Sequence, residues 1–105
     1  MANWITVSNQ ADFPINSYRI FDWNGLSILI INKQGIFYAI ENRCPHEDQT
    51  LDGGELEGDE FICPWHGAGF CIKNGIATRP PAYENIKAFP VREVKSMIQI
   101  DIDST

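Results

Sequence analysis

Cys44-Pro45-His46 and Cys63-Pro64-Trp65-His66 each set one thiol and one imidazole on a short stretch of chain, with sixteen residues between the two. The chain holds two histidines in all, and both stand beside a Cys-Pro pair. Thiolates and imidazoles are metal ligands, and the residues around them suit a tight, fixed loop. Proline fixes φ and removes an amide donor, while Gly67 after His66 lets backbone come close to a bulky inorganic group. Two metal readings follow. Zinc accepts a tetrahedral set of two cysteines and two histidines, but its usual spacings keep like ligands together. A two-iron, two-sulfide group in which two histidines replace two cysteines on one iron takes one Cys and one His from each stretch. The interleaved order favours the second.

These stretches need a rigid frame, and the rest of the chain reads as β-strands. Short apolar runs recur at Trp4 to Val7, Tyr18 to Trp23, Leu26 to Ile31, Ile36 to Ile40, Phe61 to Cys63, Phe70 to Ile72, Ile86 to Val94 and Met97 to Ile102. Asn24-Gly25 is the two-residue hairpin signal, and Lys33-Gln34-Gly35 and Lys73-Asn74-Gly75 read as further turns. No window keeps a helical period; Ser8 to Phe13 allows one turn. The class is all-β, an antiparallel sandwich or barrel as a base. Residues 1–41 and 85–105 carry the base, and the loop-rich residues 42–84 form a subdomain around the thiols and imidazoles. At 105 residues the chain supports one domain with a modest core, to which a loop-linking metal contributes stability. Cys71 lies outside the ligand pattern and reads as a buried thiol, and Trp4 and Trp23 read as core.

The formal net charge of −6 disfavours nucleic acid or an anionic membrane as partner. Between Cys44 and Cys71 there is no Lys or Arg, while Glu47, Asp48, Asp52, Glu55, Glu57, Asp59 and Glu60 supply seven of the fourteen carboxylates. This stretch is expected to present an acidic face beside the metal. With no signal-like segment and no apolar run longer than Ile28 to Ile31, the expected location is the cytoplasm, where thiols stay reduced.

The motif Cys-x-His followed by Cys-x-x-His, together with "LDGGELEGDEFICPWHG" and "KNGIATRPPA", resembles the Rieske-type [2Fe-2S] ferredoxins along the whole chain. The resemblance implies that Cys44 and Cys63 ligate one iron, that His46 and His66 ligate the other, and that Pro80, Pro81 and Ala82 form a third, covering loop. It also implies a one-electron carrier, no enzyme by itself, taking electrons from an NAD(P)H-dependent flavoprotein reductase to a terminal oxygenase of the aromatic-ring dioxygenase type. Trp65 is then a candidate docking contact at the rim. Rieske proteins of cytochrome bc complexes add a disulfide between the two loops; the matching places here, Gln49 or a neighbour and Trp65, hold no cysteine. Those high-potential proteins also carry serine and tyrosine where this chain has Ala68 and Phe70. Two alternatives stay open: the small subunit of assimilatory NAD(P)H nitrite reductase, and a zinc-stabilised interaction domain.

Overall fold

The computed structural model describes residues 3–45, 50–65, 67–80, 82 and 84–103. Among these residues eleven strands follow in order: β1 (Trp4–Asn9), β2 (Ser17–Trp23), β3 (Leu26–Lys33), β4 (Ile36–Glu41), β5 (Glu55–Glu57), β6 (Glu60–Ile62), β7 (Gly69–Cys71), β8 (Ala77–Arg79), β9 (Ala88–Phe89), β10 (Val91–Val94) and β11 (Met97–Asp101). Among the described residues one 3-10 turn, Gln10–Asp12, is capped by the Asn9 side chain. No helix among the described residues is long and apolar enough to cross a membrane.

The strands make three antiparallel sheets, ordered β1-β11-β10, β2-β3-β4-β9 and β5-β6-β7-β8. The four-residue run Ile28 to Ile31 shows how they stack. Alternate side chains on a strand point to opposite faces, so a strand with one wet face alternates apolar and polar. Here all four residues are buried. Ile28 and Ile30 join Phe13, Phe37, Phe89, Ile98 and Ile100 in one core. Leu29 and Ile31 face the other way, into a second core with Ile40, Leu51, Phe61, Phe70 and Ile72. The β2-β3-β4-β9 sheet is therefore the middle layer, and each of its buried aliphatics contributes about 2 kcal/mol of transfer free energy.

Turn chemistry sets the register. Asn24 and Gly25 have φ of 48° and 83°, the pair of positive values that a type I′ hairpin needs. Their turn joins β2 and β3 with Trp23 opposite Leu26. The expected single strand over Ile86 to Val94 is instead two, because Pro90 has no amide hydrogen for a ladder. Before it, Phe89 pairs with Ala39 of β4; after it, Val91 pairs with Ile100 of β11. The chain changes sheets at that proline. Trp4 and Trp23, expected in the core, are half-buried on the edge strands β1 and β2. The Arg92 guanidinium lies 4.1 Å above the Trp4 ring.

Candidate metal centre

The first loop leaves β4 at Asn42, a buried residue whose carboxamide closes the loop on itself. Its oxygen accepts from the amides of Leu51 at 2.7 Å and Asp52 at 3.0 Å. Its nitrogen donates to Ser27 Oγ at 3.0 Å and Asp52 Oδ1 at 3.2 Å. Two residues on, Cys44 is 1% exposed in the core that also holds Leu51 and Phe61.

The second loop is a tight turn between β6 and β7. The Cys63 amide donates to the Ala68 carbonyl at 2.7 Å, and its own carbonyl accepts from the Gly67 amide at 3.2 Å. Gly67 takes φ of 73°, where a side chain is strained. Cys63 is 3% exposed and belongs to the same core as Cys44. The two loops lie against each other: Trp65 Nε1 donates to the Thr50 carbonyl at 3.3 Å, and a Cβ at Gly53 would stand 3.9 Å from Pro64 Cγ. At Gly54 a Cβ would collide with the Ile62 carbonyl, so only glycine permits that approach. The Gly53 amide donates to the Tyr18 hydroxyl at 2.7 Å, fastening the loops to the middle sheet.

A third segment packs into the same core. Ile86 N donates to the Gly75 carbonyl at 2.9 Å and Ala77 N to Asn85 Oδ1 at 2.9 Å, closing the chain around Pro80 and the buried Ala82.

The charges are more balanced than their sequence suggested. Arg79 grips Glu60 with two bonds, Nε to Oε1 at 3.3 Å and a second guanidinium nitrogen to Oε2 at 2.9 Å, and lies 3.8 Å from Glu57. Lys73 lies 3.5 Å from Asp59. Hydrogen bonds from the Thr78 hydroxyl and then Arg79 hold the Glu60 carboxyl below its usual range. Thr50 first, and then Asn42, do the same for Asp52.

The expected site residues thus stand as follows. Cys44 and Cys63 come together in one buried cluster on adjacent loops, with neither in a disulfide. His46 and His66 lie outside the described residues, as do Glu47, Asp48, Gln49 and Pro81. Among the described residues, no group of three or more His, Cys, Asp or Glu is gathered to hold an ion. Trp65 is 53% exposed. Cys71 departs from expectation: it is half-buried, because Phe70 takes the inward place on β7 and leaves Cys71 on the other face, opposite Glu60. Asn42 was not singled out from sequence, where it reads as the end of a strand; its place two residues before Cys44 was the available signal.

The donor set fits a two-iron, two-sulfide group, since two buried sulfurs are carried by two touching loops, each loop also bearing a histidine in sequence. Residues 3–90 match the family model of the Rieske [2Fe-2S] domain. The chain belongs to that family. This Rieske chain is 41% identical over 101 residues to the 3-phenylpropionate/cinnamic acid dioxygenase ferredoxin subunit of Shigella boydii serotype 4 (strain Sb227), covering 95% of this chain and 94% of the relative. It superposes on the Sphingomonas yanoikuyae B1 ferredoxin with a TM-score of 0.86 at 25% identity, covering 94% of this chain and 98% of that one. It shares the fold of the ferredoxin of carbazole 1,9a-dioxygenase from Nocardioides aromaticivorans IC177, with a TM-score of 0.89 at 24% identity over 95% and 98% of the two chains. The Rieske resemblance carried by the two Cys-Pro motifs therefore holds, and so does the all-β class.

Proposed function

We propose that this Rieske chain is a one-electron carrier that accepts electrons from an NAD(P)H-dependent flavoprotein reductase and delivers them to a terminal oxygenase in the cytoplasm. It works as a component and is no catalyst alone. The observation that carries the reading is the burial of Cys44 and Cys63 in one apolar cluster on touching loops. The name of the Shigella relative, a dioxygenase ferredoxin subunit, favours an oxygenase over nitrite reductase as acceptor.

Cys44 and Cys63 would hold one iron and His46 and His66 the other, within a single domain of residues 1–105 whose 42–84 segment carries the site. When bound, the [2Fe-2S] group takes up and releases one electron. The chain's own part is to keep water from the sulfur side and to present the other side. Leu51, Phe61, Ala68 and Phe70 are buried in the same cluster as the thiols and do the first. Trp65 and Pro64, both exposed beside Cys63, form the rim where a partner docks. Glu55 is an exposed carboxylate next to that rim, whereas Glu57, Asp59 and Glu60 are shared with Arg79 and Lys73. The acidic steering field is correspondingly weaker than seven carboxylates imply.

Purified protein should contain two irons and two labile sulfides. Under anaerobic conditions its visible absorption should bleach with NAD(P)H and a trace of flavoprotein reductase, and return on adding an oxidised aromatic-ring oxygenase. The bleaching rate should fall as salt rises, since screening shortens to about 8 Å near physiological ionic strength. Zinc in place of iron, or no transfer to the oxygenase, rejects the reading.

A further inference from the structure

Asn42 is 4% exposed, and its side chain has every hydrogen-bonding place filled: two N–H donors and two acceptor sites, four partners. Its backbone amide also donates to the Ser27 carbonyl at 2.9 Å. The partners come from two directions. Ser27 belongs to β3 of the middle sheet, whereas Leu51 and Asp52 lie beyond the first ligand loop. One carboxamide therefore closes the segment 42–52 and fixes it to the sheet. Cys44 and His46 lie inside that closure, and Cys44 follows the clamp by two residues.

We infer that Asn42 is a positioning residue for the iron group: its carboxamide fixes the loop that presents Cys44 and His46 and so sets how firmly the group is held. The inference rests on the ligand assignment proposed above. Groups that orient metal ligands from behind change metal retention by about 10- to 100-fold when removed. A clamp with four bonds, at the entry of the loop, belongs among them.

Substitutions separate this role from general stability. Asn42→Ala removes the acceptor for two amides. Asn42→Asp keeps an acceptor for both but sets a second carboxylate against Asp52. Adding Asp52→Asn to that variant restores the pair with its polarity reversed, since the new amide at position 52 donates to the new carboxylate at 42, and the Ser27 hydroxyl can turn to donate. Ile98→Val, in the other core, lowers stability without touching the loop.

The measurement is loss of visible absorbance from each holoprotein in excess iron chelator, with melting temperature and the reduced-state electron paramagnetic resonance spectrum alongside. Asn42→Ala should release iron at least about tenfold faster than Ile98→Val at an equal loss of melting temperature, with shifted g-values. Asn42→Asp should also be fast, and the double variant slower than it. If Asn42→Ala does not fold, the comparison of Asn42→Asp with the double variant decides. Release by Asn42→Ala no faster than by Ile98→Val, or a double variant no better than Asn42→Asp, overturns the inference while leaving the functional reading intact. Wild-type protein lacking two irons and two sulfides overturns the functional reading itself.

Discussion

The Tyr18 hydroxyl accepts a hydrogen bond from the Gly53 amide at 2.7 Å, although the two residues stand 35 positions apart. Tyr18 belongs to the middle sheet, and its ring meets Phe61 of the third sheet edge to face, with centroids 5.0 Å apart. One side chain thereby ties the frame both to the strand that leads to Cys63 and to the loop that follows Cys44.

Tyr18→Phe keeps the ring contact and removes the bond. The expected loss is about 1 kcal/mol, the usual net value for one hydrogen bond, which lowers the melting temperature by about 4 to 8 °C in a domain of this size. Tyr18→Ala should lose more, since it also removes the contact with Phe61. Thermal melts of the holoproteins check both, and an unchanged melting temperature in Tyr18→Phe contradicts the tie.

The reduction potential should lie toward the low end of the Rieske range of about −150 to +300 mV. Ala68, whose carbonyl accepts from the Cys63 amide, and Phe70 are buried in the same core as Cys63, and neither has a hydroxyl to donate. A donor stabilises the extra negative charge of the reduced state more than the oxidised state. If one hydroxyl contributes a difference of about 1 kcal/mol, Ala68→Ser or Phe70→Tyr should each raise the potential by about 40 mV. Voltammetry giving a wild-type value above about +100 mV, or no rise in either variant, contradicts this.

Acid should loosen the first loop through Asp52. Thr50 and Asn42 donate to its carboxylate and hold the folded-state pKa below the usual 3.8. A depressed pKa contributes stability that is complete above the unfolded value and is lost as pH falls through the folded one. Asp52→Asn removes that titration, so its melting temperature should fall less steeply below about pH 5 than that of the wild type. A slope equal to wild type would mean that Asp52 is not so held.

Much of this was legible in the chain because it depends on residue type and close spacing. The paired Cys-Pro motifs carried the resemblance to the Rieske family that the family match bears out, and Asn24-Gly25 named its turn. Other features depend on what lies across space. The run Ile28 to Ile31 announced a strand but not that both its faces are covered, since that requires a second sheet from elsewhere in the chain. The strands Glu55–Glu57 and Ala77–Arg79 have three residues each and too few apolar side chains to alternate, so they escaped notice. The turn at Lys95 and Ser96 takes positive φ at both residues without glycine or asparagine, and gave no signal. The acidic stretch looked unopposed because Lys73 and Arg79 lie just past its end and fold back upon it. Asn42 carries an ordinary amide, and only its four partners reveal its role.

We propose that both imidazoles hold one iron, and the chain's two histidines allow a clean measurement. Protein grown with nitrogen-15 histidine and otherwise natural nitrogen, reduced by one electron, should show couplings from two labelled nitrogens to the unpaired spin in pulsed electron paramagnetic resonance. His66→Ala should lose the signal together with the iron. A reduced wild-type protein showing coupling from one labelled nitrogen or from none would contradict ligation by both His46 and His66.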